Sequence, residues 1–187
     1  MGKLYWKPGN MLYPLPVVMV SVRDKGFDNI ITCAWAGTIN SDPAMLSISV
    51  RKERFSYDMI TNSKEFVVNL VTKDLAYACD YCGVLSGRDV DKFKKMNLTK
   101  IESKYVSAPS IKESPVNLEC RVEHTLDLGT HTIFMAKILG VTVDDMYMDE
   151  TGRFNLNDSN LISYSHGRYY TLGEELGKFG YSVKKNK

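Results

Sequence analysis

The sequence contains no apolar run close to the ~20 residues that a membrane-spanning helix requires. Its longest apolar stretch, residues 15–22, has the length of a β-strand. The N-terminus also lacks the pattern of a signal peptide, so we expect a cytoplasmic protein. The formal net charge is only +2, which predicts neither nucleic acid nor a membrane as a partner through bulk charge. Any anion site must therefore be local.

Cysteine is scarce, and the common catalytic motifs are missing. The chain has four cysteines, too few and too scattered for a disulfide framework. Cys79-Asp-Tyr-Cys82 is a single CxxC pair, whereas structural zinc usually takes four ligands, so no metal site is predicted. The pair is either two thiols on a short helix or a redox dithiol. No Walker loop, GxGxxG or Ser/His/Asp arrangement is present, which leaves hydrolase and nucleotide-triphosphatase functions without support.

The patterning predicts one mainly β domain. An apolar content of 44% in 187 residues is enough for a core. Residues 15–35 form a predicted β-hairpin, and residues 45–50 alternate strictly, with Leu46, Ile48 and Val50 on one face and Ser47 and Ser49 on the other. Further strands are predicted at 65–71, 116–126, 132–143 and 161–164, short helices at 55–62, 73–81 and 89–96, a loop at 37–43, and irregular structure at 144–160. Strands joined mostly by tight turns indicate an antiparallel barrel with short decorating helices.

A cluster of cations precedes the first predicted helix. Arg51, Lys52 and Arg54 lead into a helix start at which Ser56 offers a hydroxyl. Free backbone N–H groups at a helix N-terminus favour an anion, and arginine binds phosphate oxygens in a bidentate way. The alternative is a solvated turn in which Glu53 neutralises one cation and Ser56 merely caps the helix.

Three other positions are candidates for binding or chemistry. Trp35 lies between small residues at a strand end, where a flat ring has room to stack on it, although a large core aromatic would look the same. Lys92 follows Gly87 and points a charge at a ligand or at solvent. His131 begins a strand after a glycine turn, a position typical of catalytic or binding histidines, while a lone histidine is more often structural.

In order and spacing, these segments resemble the flavin reductase-like family of FMN-binding split barrels, and in particular its flavoredoxin-type branch. The resemblance covers residues 10 to about 165. It rests on Tyr13-Pro-Leu-Pro-Val-Val-Met-Val20, Asn29 through Trp35-Ala-Gly37, Ser41-Asp-Pro43, Ser49-Val-Arg51, Arg54-Phe-Ser-Tyr57, Ser86-Gly-Arg-Asp-Val-Asp-Lys-Phe93 and Leu128-Gly-Thr-His131.

The resemblance implies a six-stranded antiparallel split β-barrel, a homodimer, and non-covalent FMN near the dimer interface. It also implies one domain over residues 1–187, with a core at about 10–165 and a C-terminal extension at 166–187. The residues that would contact FMN are Asn29, Thr32, Cys33, Ala34, Trp35, Ser49, Arg51, Arg54, Ser56, Lys92, His131 and Tyr164. Of these, Ser49, Arg51, Arg54 and Ser56 would surround the ribityl chain and phosphate, and His131 is the candidate catalytic residue.

The implied activity is electron transfer from NAD(P)H, a transient donor, through bound FMN to an acceptor. Members that use NADH often carry Gly-Asp-His where this chain has Gly129-Thr-His131. The missing aspartate favours the alternative of an FMN electron carrier that serves a redox protein partner without using NAD(P)H directly. A non-catalytic FMN-binding protein is the third possibility.

Overall fold

The computed structural model describes residues 1–183. Its helices are α1 (Phe55–Ser63), α2 (Ala76–Val84) and α3 (Lys92–Lys95), and short 3-10 turns lie at Asp145–Tyr147, Leu156–Ser159 and Tyr181–Val183. The strands are β1 (Leu15–Pro16), β2 (Val18–Asp24), β3 (Phe27–Cys33), β4 (Ala36–Ser41), β5 (Ala44–Arg51), β6 (Glu65–Leu70), β7 (Lys100–Ile101), β8 (Ser110–Ile111), β9 (Val116–Asp127), β10 (His131–Val143), β11 (Ile162–Ser165) and β12 (Arg168–Thr171).

Seven strands form one antiparallel sheet in the order β3-β2-β6-β9-β10-β5-β4. The sheet curls until β3 contacts β5, and the backbone N–H of Ser49 donates to the carbonyl of Trp35 at 2.8 Å. β3 and β4 are separated only by a bend at Ala34 and Trp35, and β4 is the edge strand of the sheet beside β5. The prediction of a mainly β split barrel with short helices is confirmed.

The prediction of a loop at residues 37–43 is wrong, because most of this segment is strand β4. Its residues pair with β5 through Ser41 opposite Ala44. The small and polar side chains of β4 do not indicate a turn here; they belong to an exposed edge strand, where the period-2 apolar signal has no core to face.

The barrel and the helices enclose two cores that share the β2–β3 hairpin. Val18, Val20 and Val22 face the barrel interior with Phe66 and Phe134. Met19 and Ile30 face the opposite way, toward α2 and α3. This double burial explains why the predicted strand at 15–22 is apolar almost throughout.

A second small sheet, β1-β11-β12, lies beside the barrel. Its register places Tyr164 opposite Leu15 and Tyr169. The predicted strand at 161–164 is confirmed, and it forms a hairpin with β12. This hairpin brings aromatic side chains from the end of the chain to the bend between β3 and β4.

Candidate functional site

Two cavities meet at that bend, on the side covered by α2 and the start of α1. The larger, which we call the wide cavity, has a volume of about 500 Å³. The smaller, which we call the cationic cavity, has about 350 Å³. Ile31, Arg54 and Gly83 line both, so the two form one elongated depression.

The cationic cavity lies at the N-terminus of α1. Arg54 is the N-cap residue with extended backbone angles, and no side chain caps the helix start. The first N–H groups of the helix are therefore available to an external acceptor, and the helix dipole favours a negative charge there. Arg54, Arg88 and Lys92 add three cationic side chains to the lining.

Lys92 is the most unusual residue of this cavity because it is only 4% exposed. Its Nζ donates to the carbonyl oxygens of Ile30 and Cys82, both at 2.7 Å. Burial, and to a smaller extent the neighbouring Arg54 guanidinium, lower the pKa of Lys92 to about 8. Within residues 1–183, no carboxylate forms an ion pair with Lys92. A buried ammonium balanced only by carbonyl dipoles favours an anionic ligand.

Asn29 and Ser56 form the floor of the cationic cavity. Asn29 Nδ2 donates to Ser56 Oγ at 2.8 Å, and both residues are almost fully buried. The loop that carries Gly87 rests directly on Asn29, since a Cβ at position 87 would lie 2.2 Å from Asn29 Oδ1. Glycine at position 87 therefore allows the loop to approach the floor and complete the cavity.

One wall of the wide cavity is a pair of stacked rings. The Trp35 and His131 ring centroids are 4.6 Å apart with the planes tilted by 34°, and Trp35 remains 40% exposed. His131 Nδ1 is 2.9 Å from Thr130 Oγ1. Burial, and then the charge of Arg51, lower the pKa of His131, so the imidazole is mostly neutral at neutral pH.

The opposite wall comes from α2 and the β11–β12 hairpin. The Tyr169 hydroxyl donates to Asp80 Oδ1 at 3.0 Å, which ties the hairpin to α2. Tyr164 packs against Tyr169 with ring centroids 5.6 Å apart. The wide cavity is thus lined by aromatic side chains from two parts of the chain, which suits a planar ring.

All twelve predicted contact residues line one or both cavities. Asn29, Ser56 and Lys92 line the cationic cavity, and Arg54 lines both. The wide cavity takes the remaining eight, which are Thr32, Cys33, Ala34, Trp35, Ser49, Arg51, His131 and Tyr164. Ser49 and Arg51 thus line the wide cavity and not the cationic one, and their place around the ribityl chain and phosphate stays a prediction.

Several lining residues are absent from the predicted set, and among them are Asp80, Gly83, Arg88 and Tyr169. Arg88 adjoins Gly87, and a cation beside a glycine that permits close approach is a signal that was available in the sequence. Asp80 and Tyr169 carry no local signal, because they meet only when the β11–β12 hairpin packs on α2.

The cysteine pair belongs to the framework of the site. Both thiols are buried, and burial raises the pKa of Cys79 to about 12 and that of Cys82 to about 11. Their carbonyls accept hydrogen bonds from Thr32 Oγ1 and Lys92 Nζ. These properties favour the structural reading over the redox one. No cluster of possible metal ligands occurs among residues 1–183, and no helix within them is long and apolar enough to cross a membrane.

The depression therefore offers an aromatic slot at one end. At the other end it offers a cationic pocket at the N-terminus of a helix. This is the shape and charge of a ligand with a planar head and a phosphate tail. In a comparison with known protein families, residues 10–173 match the model of the flavin reductase like domain, and the chain belongs to that family.

Relatives and solved structures agree with this assignment. A protein of Archaeoglobus fulgidus without an assigned function is 35% identical over 160 residues, covering 86% of this chain and 89% of that protein. The flavoredoxin of Desulfovibrio vulgaris (Miyazaki F) is 29% identical with a TM-score of 0.90, covering 98% of this chain and all of that one. The flavoredoxin of Methanosarcina acetivorans is 27% identical with a TM-score of 0.90, covering 98% of both chains. The family and these neighbours support a flavoprotein oxidoreductase.

Proposed function

We propose that this protein binds FMN non-covalently in the two cavities and passes electrons from NAD(P)H through it to an acceptor. The observation that carries the proposal is the continuity of the aromatic slot with a pocket containing a buried, carboxylate-free lysine. An isoalloxazine ring suits the first and a phosphate monoester suits the second. Family membership supports the flavin, and the similarity to two flavoredoxins supports FMN.

The residues fit FMN on three independent grounds. Arg54, Lys92 and the start of α1 supply charge and N–H donors for a dianion. Gly87 lets its loop pack directly on Asn29, where a Cβ would lie 2.2 Å from Oδ1, and so lets the loop line the cavity. Trp35 and Tyr164 line a cavity of about 500 Å³, and aromatic side chains suit contact with a tricyclic ring.

A bound flavin supplies hydride acceptance and one-electron release, while the protein supplies binding, orientation and electrostatics. Lys92 and Arg54 hold the phosphate end, and Thr32 is held toward the slot by its bond to the Cys79 carbonyl. His131 lies at the open side as a neutral imidazole and can donate to or accept from a reactant through Nε2 once Thr130 engages Nδ1. Its role is that of the candidate catalytic residue.

The first experiment asks whether the protein binds FMN. Purified protein should be yellow, or it should quench the fluorescence of added FMN in a saturable titration. A colourless protein that leaves FMN fluorescence unchanged contradicts the proposal. Stopped-flow mixing of the FMN complex with NADH and with NADPH then measures the loss of the visible flavin absorption. His131→Gln should slow that loss while leaving the Kd for FMN within about threefold, because Trp35 remains as the aromatic wall when the imidazole at the open side is removed.

An FMN electron carrier without direct NAD(P)H use is the second candidate function. It is favoured by Thr130, which contacts His131 where NADH-using relatives often place an aspartate, and by the similarity to flavoredoxins across nearly the whole chain. If neither nicotinamide bleaches the flavin and a chemical reductant such as dithionite does, the carrier function replaces the reductase. If the reduced protein then fails to pass electrons to any one-electron acceptor, a non-catalytic FMN-binding role is left.

We also propose that the protein is a homodimer in the cytoplasm. The N-terminal segment carries the large, exposed apolar side chains Leu4, Tyr5 and Trp6, which a second copy would cover. The cysteines of the protein are free thiols, which supports the cytoplasm. Analytical ultracentrifugation should show a dimer in the full chain. A chain lacking residues 1–8 should dissociate more readily, and an equally stable dimer would remove this segment from the interface.

A further inference from the structure

We propose that Arg88 is the outer phosphate-binding arginine of the FMN site and that Arg51 does not contact the phosphate. This assignment rests on the proposed function. Arg51 is close to the helix start in sequence, whereas Arg88 reaches the helix start only in the folded chain.

Arg88 lies on the loop that closes the cationic cavity against α1. Its Nη1 donates to the backbone carbonyl of Glu53 at 3.3 Å, and its guanidinium lies over the Phe55 ring, 5.1 Å from the centroid. The nearest carboxylate, on Asp58, is 4.0 Å away. These contacts hold the guanidinium at the mouth of the cavity, directly above the uncapped start of the helix.

The present contacts of Arg88 are weak enough to exchange for a phosphate. A guanidinium has five N–H donors, and in the described part of the chain its side chain makes a single long hydrogen bond, to a neutral acceptor. The ion pair with Asp58 is at the limit of contact and mostly exposed, where such pairs contribute little. A phosphate oxygen in the cavity would offer a charged, bidentate acceptor in place of both.

Arg51 differs from Arg88 in direction and in partner. It is the last residue of β5, opposite His131, and it lines the wide cavity but not the cationic one. Its Nε forms a 2.8 Å ion pair with Glu53. Because Ser56, Lys92 and Arg88 line the cationic cavity and Arg51 does not, the tertiary structure places Arg51 beside the ring and the reactant.

The two arginines form a matched pair for an experiment, because both side chains are 51% exposed. We would measure the Kd of FMN and of riboflavin, which lacks the phosphate, for the wild type, Arg88→Ala and Arg51→Ala by fluorescence titration. Arg88→Ala should weaken FMN about tenfold or more and riboflavin by no more than about twofold. Arg51→Ala should change both ligands by the same factor.

Arg88→Lys guards against a local folding defect, with circular dichroism and thermal melting as checks. Lysine keeps the charge but loses the bidentate geometry, so its loss of FMN affinity should be selective and smaller than that of alanine. The assignment of Arg88 is overturned if Arg88→Ala leaves the ratio of the two Kd values unchanged. A selective loss of FMN in Arg51→Ala overturns the exclusion of Arg51. A wild type with no preference for FMN over riboflavin contradicts the proposed phosphate site itself.

Discussion

The cationic cavity and the wide cavity differ in how their polar groups are satisfied. In the cationic cavity, Asn29, Ser56 and Lys92 are buried and already hydrogen-bonded to the protein. In the wide cavity, Trp35 is partly exposed and His131 faces an open side. The first arrangement is preorganised to hold one ligand group tightly, and the second leaves a surface at which a reactant can arrive. Within one depression, the cationic cavity is thus suited to retaining a ligand, and the wide cavity is suited to its reaction.

The largest effect should come from removing the close approach that builds the cationic cavity. A Cβ in Gly87→Ala would lie 2.2 Å from Asn29 Oδ1, which forces the loop away or breaks the Asn29–Ser56 hydrogen bond. Overpacking of this kind costs about 1–3 kcal/mol, so we expect a lower Tm and roughly a hundredfold weaker FMN binding. Calorimetry and fluorescence titration measure the two effects.

Gly37→Ala is the control for this substitution. No atom lies within 4 Å of the position that its Cβ would take, and it belongs to the edge strand β4. Its Tm and FMN affinity should match the wild type. Equal behaviour of the two alanine variants would show that the loop at Gly87 is not part of the binding floor.

Removing the buried charge should have the next largest effect and should act on the phosphate alone. Lys92→Met keeps most of the side-chain volume and removes the ammonium, so we expect FMN binding to weaken about tenfold to a hundredfold, as for charged hydrogen bonds generally. Riboflavin should bind nearly as before. Lys94→Met, at an exposed position of the same helix, should change neither value, and a parallel loss of both flavins in Lys92→Met would place the ammonium at the ring.

The pH dependence of FMN binding tests the role of Lys92 in the cationic cavity. Burial holds the pKa of Lys92 near 8 in the free protein, and a bound phosphate dianion would favour the charged form and raise that pKa. Binding then takes up a proton above that pH, so FMN affinity should fall by up to about tenfold per pH unit on the alkaline side.

Riboflavin affinity should stay level over the same range, and Lys92→Met should abolish the slope for FMN. Titrations between about pH 7 and pH 9 cover the transition of Lys92. The FMN phosphate is already a dianion in this range, so its own titration does not contribute to the slope. An FMN affinity that is independent of pH in the wild type would mean that Lys92 does not contact the phosphate.

The smallest effect should come from the wide cavity. Trp35→Ala removes one aromatic wall, and aromatic contacts contribute about 0.5–1.5 kcal/mol, so FMN and riboflavin should both weaken about threefold to tenfold. The shared loss distinguishes this ring contact from the phosphate contacts. Phe27→Ala, at an exposed aromatic outside both cavities, is the control and should leave both affinities unchanged.

Local patterns in the sequence predicted much of this molecule because they depend on neighbouring residues only. The alternation of Leu46, Ile48 and Val50 with Ser47 and Ser49 correctly placed one face of β5 in the core. The same alternation failed to reveal β4, whose exposed edge has no apolar face to detect.

Sequence alone also placed a helix start after a group of cations, and α1 begins at Phe55. Which cation serves the cavity was decided only by the closed barrel. Arg51 ends a strand that pairs with His131, so its side chain follows the period of the sheet toward the wide cavity. Arg88 lies 34 residues after Arg54 in the sequence. The contact of Gly87 with Asn29 places it beside the cavity. Contacts of this kind depend on register and loop packing between distant segments, which no local pattern encodes.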